Sequence, residues 1–146
     1  MLVRDEASLT RLDLRGASLA KSDLSGRNLA GSDLSRARLA GARLCDADLA
    51  EATLDFADLS GSDLRRADLS GASLLETSLY GADLRGADMS RCRNLIMANL
   101  RRATYDTTTR WPGRLDARTL GAIYAKTAAG PGPQKTSPRS GSDPSS

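Results

Sequence analysis

The sequence predicts an all-β solenoid, a chain that turns a corner every five residues around a leucine-filled interior. Three observations carry this. Leucine recurs at five-residue spacing from Leu9 to Leu84, and Met89 is the only substitute among those 17 positions. The position two before each of them holds 11 Ala, 3 Ser and Thr77, with only Leu12 and Arg27 out of pattern. All eight glycines between residues 7 and 91 stand two places after a leucine.

Neither regular period accommodates a repeat of five. On an α-helix five residues advance about 500°, so successive leucines would wind around the axis. On a flat strand an odd spacing throws them onto alternate faces. A continuous inside therefore requires one backbone turn per repeat. A short extended stretch places the small residue inward, the next residue outward and the leucine inward. The remaining two residues make the corner, and a corner with positive φ favours glycine. The unit A-D-L-x-x is seen cleanly in Ala57-Asp58-Leu59-Ser60-Gly61, and Asp or Asn precedes the leucine in 10 of the 17 repeats. Spacing alone leaves open how many corners close one coil.

These repeats, from residue 7 to about 105, resemble the pentapeptide-repeat family. The resemblance implies a right-handed quadrilateral β-helix with four repeats, or 20 residues, per coil. It further implies about five coils stacked at roughly 4.8 Å, a square rod about 25 Å long. Inner leucines would then stack in columns such as Leu9, Leu29, Leu49, Leu69 and Met89. The register slips after Met89, since Leu95 follows six residues on, and a bulge is expected within Ser90–Asn94. The segment from Ala103 to Pro112 looks like the family's closing stretch, in which a Tyr and a Trp-Pro pair cover the last coil.

Residues 1–6 read as a lead-in and 7–110 as the β-helix. Residues 111–129 read as a C-terminal cap, with Asp116 capping a helix to about Ala129 and Leu120, Ile123 and Tyr124 on its apolar stripe. Residues 130–146, rich in Pro, Ser and Gly, read as a disordered tail. The helix either covers the last coil or joins two copies; the N-terminal β edge is the other candidate for self-association.

Composition narrows the function. The chain has no histidine, which removes the commonest general base and metal ligand, and no cofactor is expected. Cys45 and Cys92 form neither a zinc spacing nor a disulfide framework. No apolar run suits a membrane span, and the charged start MLVRDEASL is unlike a signal peptide, so a cytoplasmic chain is expected. A filled, convex rod offers no catalytic cleft, so no enzyme is expected.

The remaining candidates are surfaces. Stacking by 20 predicts one column of Asn28, Asp48, Asp68 and Asp88, read as a solvated ladder that orders neighbouring backbone. Arg65-Arg66 and Arg101-Arg102, with Arg43 and Arg85, lie among Asp46, Asp63 and Asp83 and read as ion pairs, so no direct nucleic-acid binding is expected. Phe56, Leu75 and Tyr80 fall at outward or corner positions and together are a candidate contact patch. The leading function is a rigid protein–protein interaction or scaffold module with an unidentified protein partner. The family resemblance implies an alternative, a DNA-mimicking regulator of DNA gyrase of the quinolone-resistance or toxin self-immunity type. Against it, residues 1–110 hold 16 basic and 16 acidic residues, whereas duplex DNA carries one negative charge per about 1.7 Å.

Overall fold

The repeat closes its backbone hydrogen bonds partly within its own corner and partly onto the turns before and after it. In the computed structural model, which describes residues 10–126, the Leu14 N–H donates to the Asp33 carbonyl at 2.8 Å and the Asp33 N–H donates to the Leu12 carbonyl at 2.9 Å. The Ala17 N–H closes the corner onto the Leu14 carbonyl at 3.0 Å. The third corner residue is left-handed: Gly16 has φ 67°, and Arg36 and Phe56 adopt 61° and 62° at the equivalent positions. A positive φ there is the signature of a type II turn, which explains the glycine periodicity.

Parallel bridges link residues 20 apart in four columns. These run Asp13–Asp33–Thr53–Ser73–Arg93, Ser18–Arg38–Asp58–Ser78, Asp23–Arg43–Asp63–Asp83 and Asn28–Asp48–Asp68–Asp88. Four columns set five residues apart make a four-sided coil. The leucines from Leu34 to Leu84 at the repeat positions are 0% exposed, apart from the non-repeat Leu75, and each contributes roughly 1.5–3 kcal/mol of burial. Ser62, Thr77 and Thr109, at inner small positions, each bond to a leucine carbonyl. Thr77 Oγ1 donates to Leu54 O at 2.8 Å, and Thr109 Oγ1 to Leu84 O at 2.8 Å.

One donor in each repeat finds no backbone acceptor, the N–H just after the leucine, and this accounts for the recurrent aspartate. Asp68 Oδ1 accepts the Ser70 N–H at 2.9 Å and the Ser70 hydroxyl at 2.6 Å. Asp48, Asp58 and Asp88 accept the equivalent N–H at 2.9–3.0 Å. Where Ser73 stands instead, Asp55 one turn earlier accepts the Leu75 N–H at 3.1 Å. Asp68→Ala is expected to destabilise by about 0.5–2 kcal/mol, and Asp68→Asn by less because its amide oxygen can still accept. Urea melts of the two variants check the order.

The end of the repeat region departs from the sequence expectation twice. The register is still intact at Arg93, whose N–H donates to Ala72 O at 2.8 Å, so the slip lies after it rather than among the earlier residues of Ser90–Asn94. Asn94 turns left-handed (φ 62°), a 3-10 helix spans Leu95–Met97, and the bridge spacing becomes 21 at Ser78–Asn99. A second residue is inserted between Thr104 and Arg110, where the spacing becomes 22 at Asp88–Arg110. Leu100 and Tyr105 conceal it by keeping the five-residue step.

The C-terminal cap also differs. Asp116 does cap, accepting the Arg118 N–H, but the helix is one 3-10 turn, Ala117–Leu120. Gly121, left-handed at φ 91°, ends it. The next strand (β2, Ile123–Tyr124) then pairs in parallel with the strand Thr104–Tyr105 (β1) and continues the Asp23 column. Tyr105 meets Trp111 edge-on at 5.5 Å and Tyr124 at 5.6 Å, and the three rings close that end. The expected lead-in, the end of the expected helix and the expected tail lie outside the described residues.

Candidate interaction surface

Four edges run along the solenoid, and their chemistry is unequal. The edge between the Asp13 and Ser18 columns carries Arg36, Phe56, Leu75 and Glu76, then the inserted loop with Ile96 and Met97. Phe56 is 45% exposed, Ile96 72% and Met97 51%. The Phe56 N–H donates to Leu75 O at 2.8 Å, which sets these residues on successive turns, and the Arg36 guanidinium lies 4.7 Å over the Phe56 ring. At its C-terminal end the edge opens into a groove of about 520 Å³ lined by Cys92, Leu95, Ile96, Met97, Pro112 and Leu115.

The expected patch is thus redrawn. Phe56 and Leu75 share this edge, whereas Tyr80, also 45% exposed, sits on the next one, across the face that bears Asp58 and Ser78. Ile96 and Met97, its most exposed members, escaped the sequence reading. Their signal was the six-residue step from Met89 to Leu95, because an extra residue outside a filled coil leaves its neighbours facing water.

The diagonally opposite edge is charged and internally paired. Arg65 forks onto Asp63 at 2.7–2.8 Å, Arg85 onto Asp83 at 2.6–2.9 Å, and Arg66 onto Asp46 at 2.9–3.0 Å. The Arg65 guanidinium holds the Asp63 carboxyl below its ordinary value, against the opposing effect of partial burial. A lowered folded-state pKa means that this contribution is present above the ordinary carboxylate range and is lost as pH falls through the lowered value.

Asn28, Asp48, Asp68 and Asp88 do stack in one column, each turned to its local backbone N–H. Burial raises the Asp88 pKa, but hydrogen bonds from Ser90 and the charge of Arg110, 3.6 Å away, bring it below the usual range. Among the described residues no group of His, Cys, Asp and Glu could hold a metal ion. Of the expected cap residues, Leu120 and Tyr124 pack on the core, while Ile123 is 45% exposed.

Both cysteines are free. Cys92 occupies an inner small position, in line with Ala52 and Ala72, and its Sγ donates to Leu69 O at 3.0 Å. Burial, then the nearby Asp88, pushes its thiol up to about 12. Cys45 sits at the charged corner, where Arg66 donates to its Sγ at 2.9 Å; burial raises its pKa too. At about pH 8 a thiol reagent is expected to titrate Cys45 well before Cys92 in the native protein, and the two alike on unfolding. A mass-resolved labelling time course checks this.

The helical content is small and no helix among the described residues is long and apolar enough to cross a membrane. The sequence model of pentapeptide repeats matches residues 28–66, 57–93 and 67–104. No curated protein matches the sequence. Among solved structures, a pentapeptide repeat protein from the Arabidopsis thaliana thylakoid lumen is 28% identical, with a TM-score of 0.65 over 87% of this chain and 85% of that one. A pentapeptide repeat protein from the cyanobacterium Cyanothece 51142 is 29% identical, with a TM-score of 0.54 over 73% and 92%. Another, from Nostoc PCC 7120, is 35% identical over 79% and 86%, with a TM-score of 0.44. With four bridge columns, a leucine interior, the family match and the likeness to the Arabidopsis and Cyanothece structures together, the fold is a right-handed β-helix solenoid, and the chain belongs to the pentapeptide-repeat family.

Proposed function

We propose that this protein is a non-catalytic interaction module of the cytoplasm that binds a protein partner through the Phe56–Met97 edge. The observation that carries the reading is the contrast between the edges. One presents Phe56, Ile96 and Met97 to solvent beside the half-buried Leu75 and ends in an open groove, while the opposite one spends its charges on its own ion pairs. Neighbouring exposed apolar side chains on a rigid support are the usual chemistry of a protein contact. The interior supports the same reading, because among the described residues it is filled mainly by leucine and alanine.

The gyrase reading draws its support from the stacked Asn28–Asp88 column, but those side chains are engaged with local N–H groups and Arg110 sits at the end of the column. A supercoiling assay with purified DNA gyrase, with and without a quinolone, separates the two. No effect at micromolar excess is the expected result. Inhibition of supercoiling, or protection from the drug, that disappears in Asp48→Asn/Asp68→Asn would transfer the function to the acidic column.

A further inference from the structure

We propose that two copies of this chain dock antiparallel along the Phe56 edge, with the two-fold axis at Phe56. The inference rests on the reading of that edge as the binding surface and names its occupant. Along the edge Arg36 stands one turn before Phe56 and Glu76 one turn after, all three exposed at equivalent left-handed corners. A two-fold axis perpendicular to the solenoid at Phe56 sets Arg36 of one copy against Glu76 of the other, twice over. The same operation places Phe56 against its own copy and Ile96 over Gly16, which has nothing within 4 Å of where a Cβ would stand. On the adjoining face it brings Asp13, which Arg15 of its own chain already forks at 2.8 Å, opposite Arg93, both exposed, with Thr53 on the axis. Tilting the contact toward that face keeps the two Asp58 carboxylates apart, and the two Asp55 carboxylates beside the axis each accept from their own Ser73 hydroxyl and Leu75 N–H.

Self-complementarity is what a closed two-fold contact requires, and here the charge order selects one arrangement. A parallel pairing opposes Arg36 to Arg36 and Glu76 to Glu76. Sliding one copy by a turn removes both charge matches. Both groups are available for an intermolecular pair. Among the described residues Glu76 takes part in no ion pair, and Arg36 pairs with no carboxylate but lies over Phe56. The contact spans four turns, roughly 19 Å at the strand spacing, so a weak, micromolar dimer is expected rather than an obligate one.

Sedimentation velocity of the full chain from about 1 µM to about 1 mM tests this. The expected result is a shift with concentration from the 15.4 kDa monomer to a dimer. Arg36→Glu and Glu76→Arg each weaken association at least about tenfold, and the double reversal restores it to within about threefold, because each interface then regains two opposite pairs. Glu76→Gly serves as the variant that separates association from folding: it deletes the charge while relaxing a φ of 53°, so the dimer weakens while the melting midpoint holds or rises. A monomer at every concentration, or a dimer indifferent to the single reversals, overturns the proposal. A monomer that still forms an edge-specific contact with a different protein overturns the second-copy docking alone and leaves the interaction reading standing.

Discussion

Leu59→Ala is expected to lower stability by about 2–5 kcal/mol. Leu59 is 0% exposed, and its own N–H and the carbonyl it presents to Ser62 are both held in hydrogen bonds. Such a ladder cannot slide inward to fill the void, so the cavity persists, and a poorly relaxing site lies toward the upper end of that range. Leu14, half-buried in the first described turn, provides the control: its truncation costs appreciably less because less of its surface is removed from water. Urea denaturation of both variants, followed by far-ultraviolet circular dichroism, checks the ratio. Equal losses would contradict the picture of an interior that tightens away from the N-terminal end.

The opposite change is expected to be nearly as damaging. Ala52→Leu puts four-carbon bulk at an inner position that is 0% exposed and has a turn stacked on either side. Overpacking of a filled core costs about 1–3 kcal/mol, and here the hydrogen-bonded turns above and below leave the side chain no rotamer that escapes. The chain contains its own comparison. Leu12 occupies the same column two turns earlier, where it is 37% exposed and lies beside Ser32, whose hydroxyl accepts its N–H. In the first described turn the large residue is exposed; in the middle it has no such room. Leu12→Ala is therefore expected to be close to neutral, and paired melting curves of Ala52→Leu and Leu12→Ala make the comparison.

The solenoid was legible because its rule is local. A five-residue leucine period with small residues two places earlier admits one kind of inside, and glycine at the corner reports the positive φ found there. The aspartate preference was visible in the sequence; its reason, the single backbone N–H that neither the corner nor the next turn satisfies, needed the hydrogen-bond geometry. The C-terminal cap was misread because Leu120, Ile123 and Tyr124 fit a helical stripe. Gly121 was the counter-signal, and pairing with Thr104–Tyr105 outweighed a helix too short to be stable by itself. Cys92 looked like part of the slip and is instead an ordinary inner residue. The interaction edge was half legible. Phe56 and Leu75 follow from their corner positions, but which corners share an edge depends on the 20-residue coil, and the exposure of Ile96 and Met97 depends on where the extra residue is placed.

The claim that one edge does the binding is tested most directly by a photo-crosslinking amino acid placed at position 97, on the apolar edge, and in a second protein at position 107, on the charged edge, each irradiated in its native extract. A discrete adduct from position 97, absent from position 107 and abolished by Phe56→Asp, is the predicted result. Its mass tells a second copy of this chain from another protein. Adducts that are equal from the two positions, or an edge that captures nothing while position 107 does, would contradict the account.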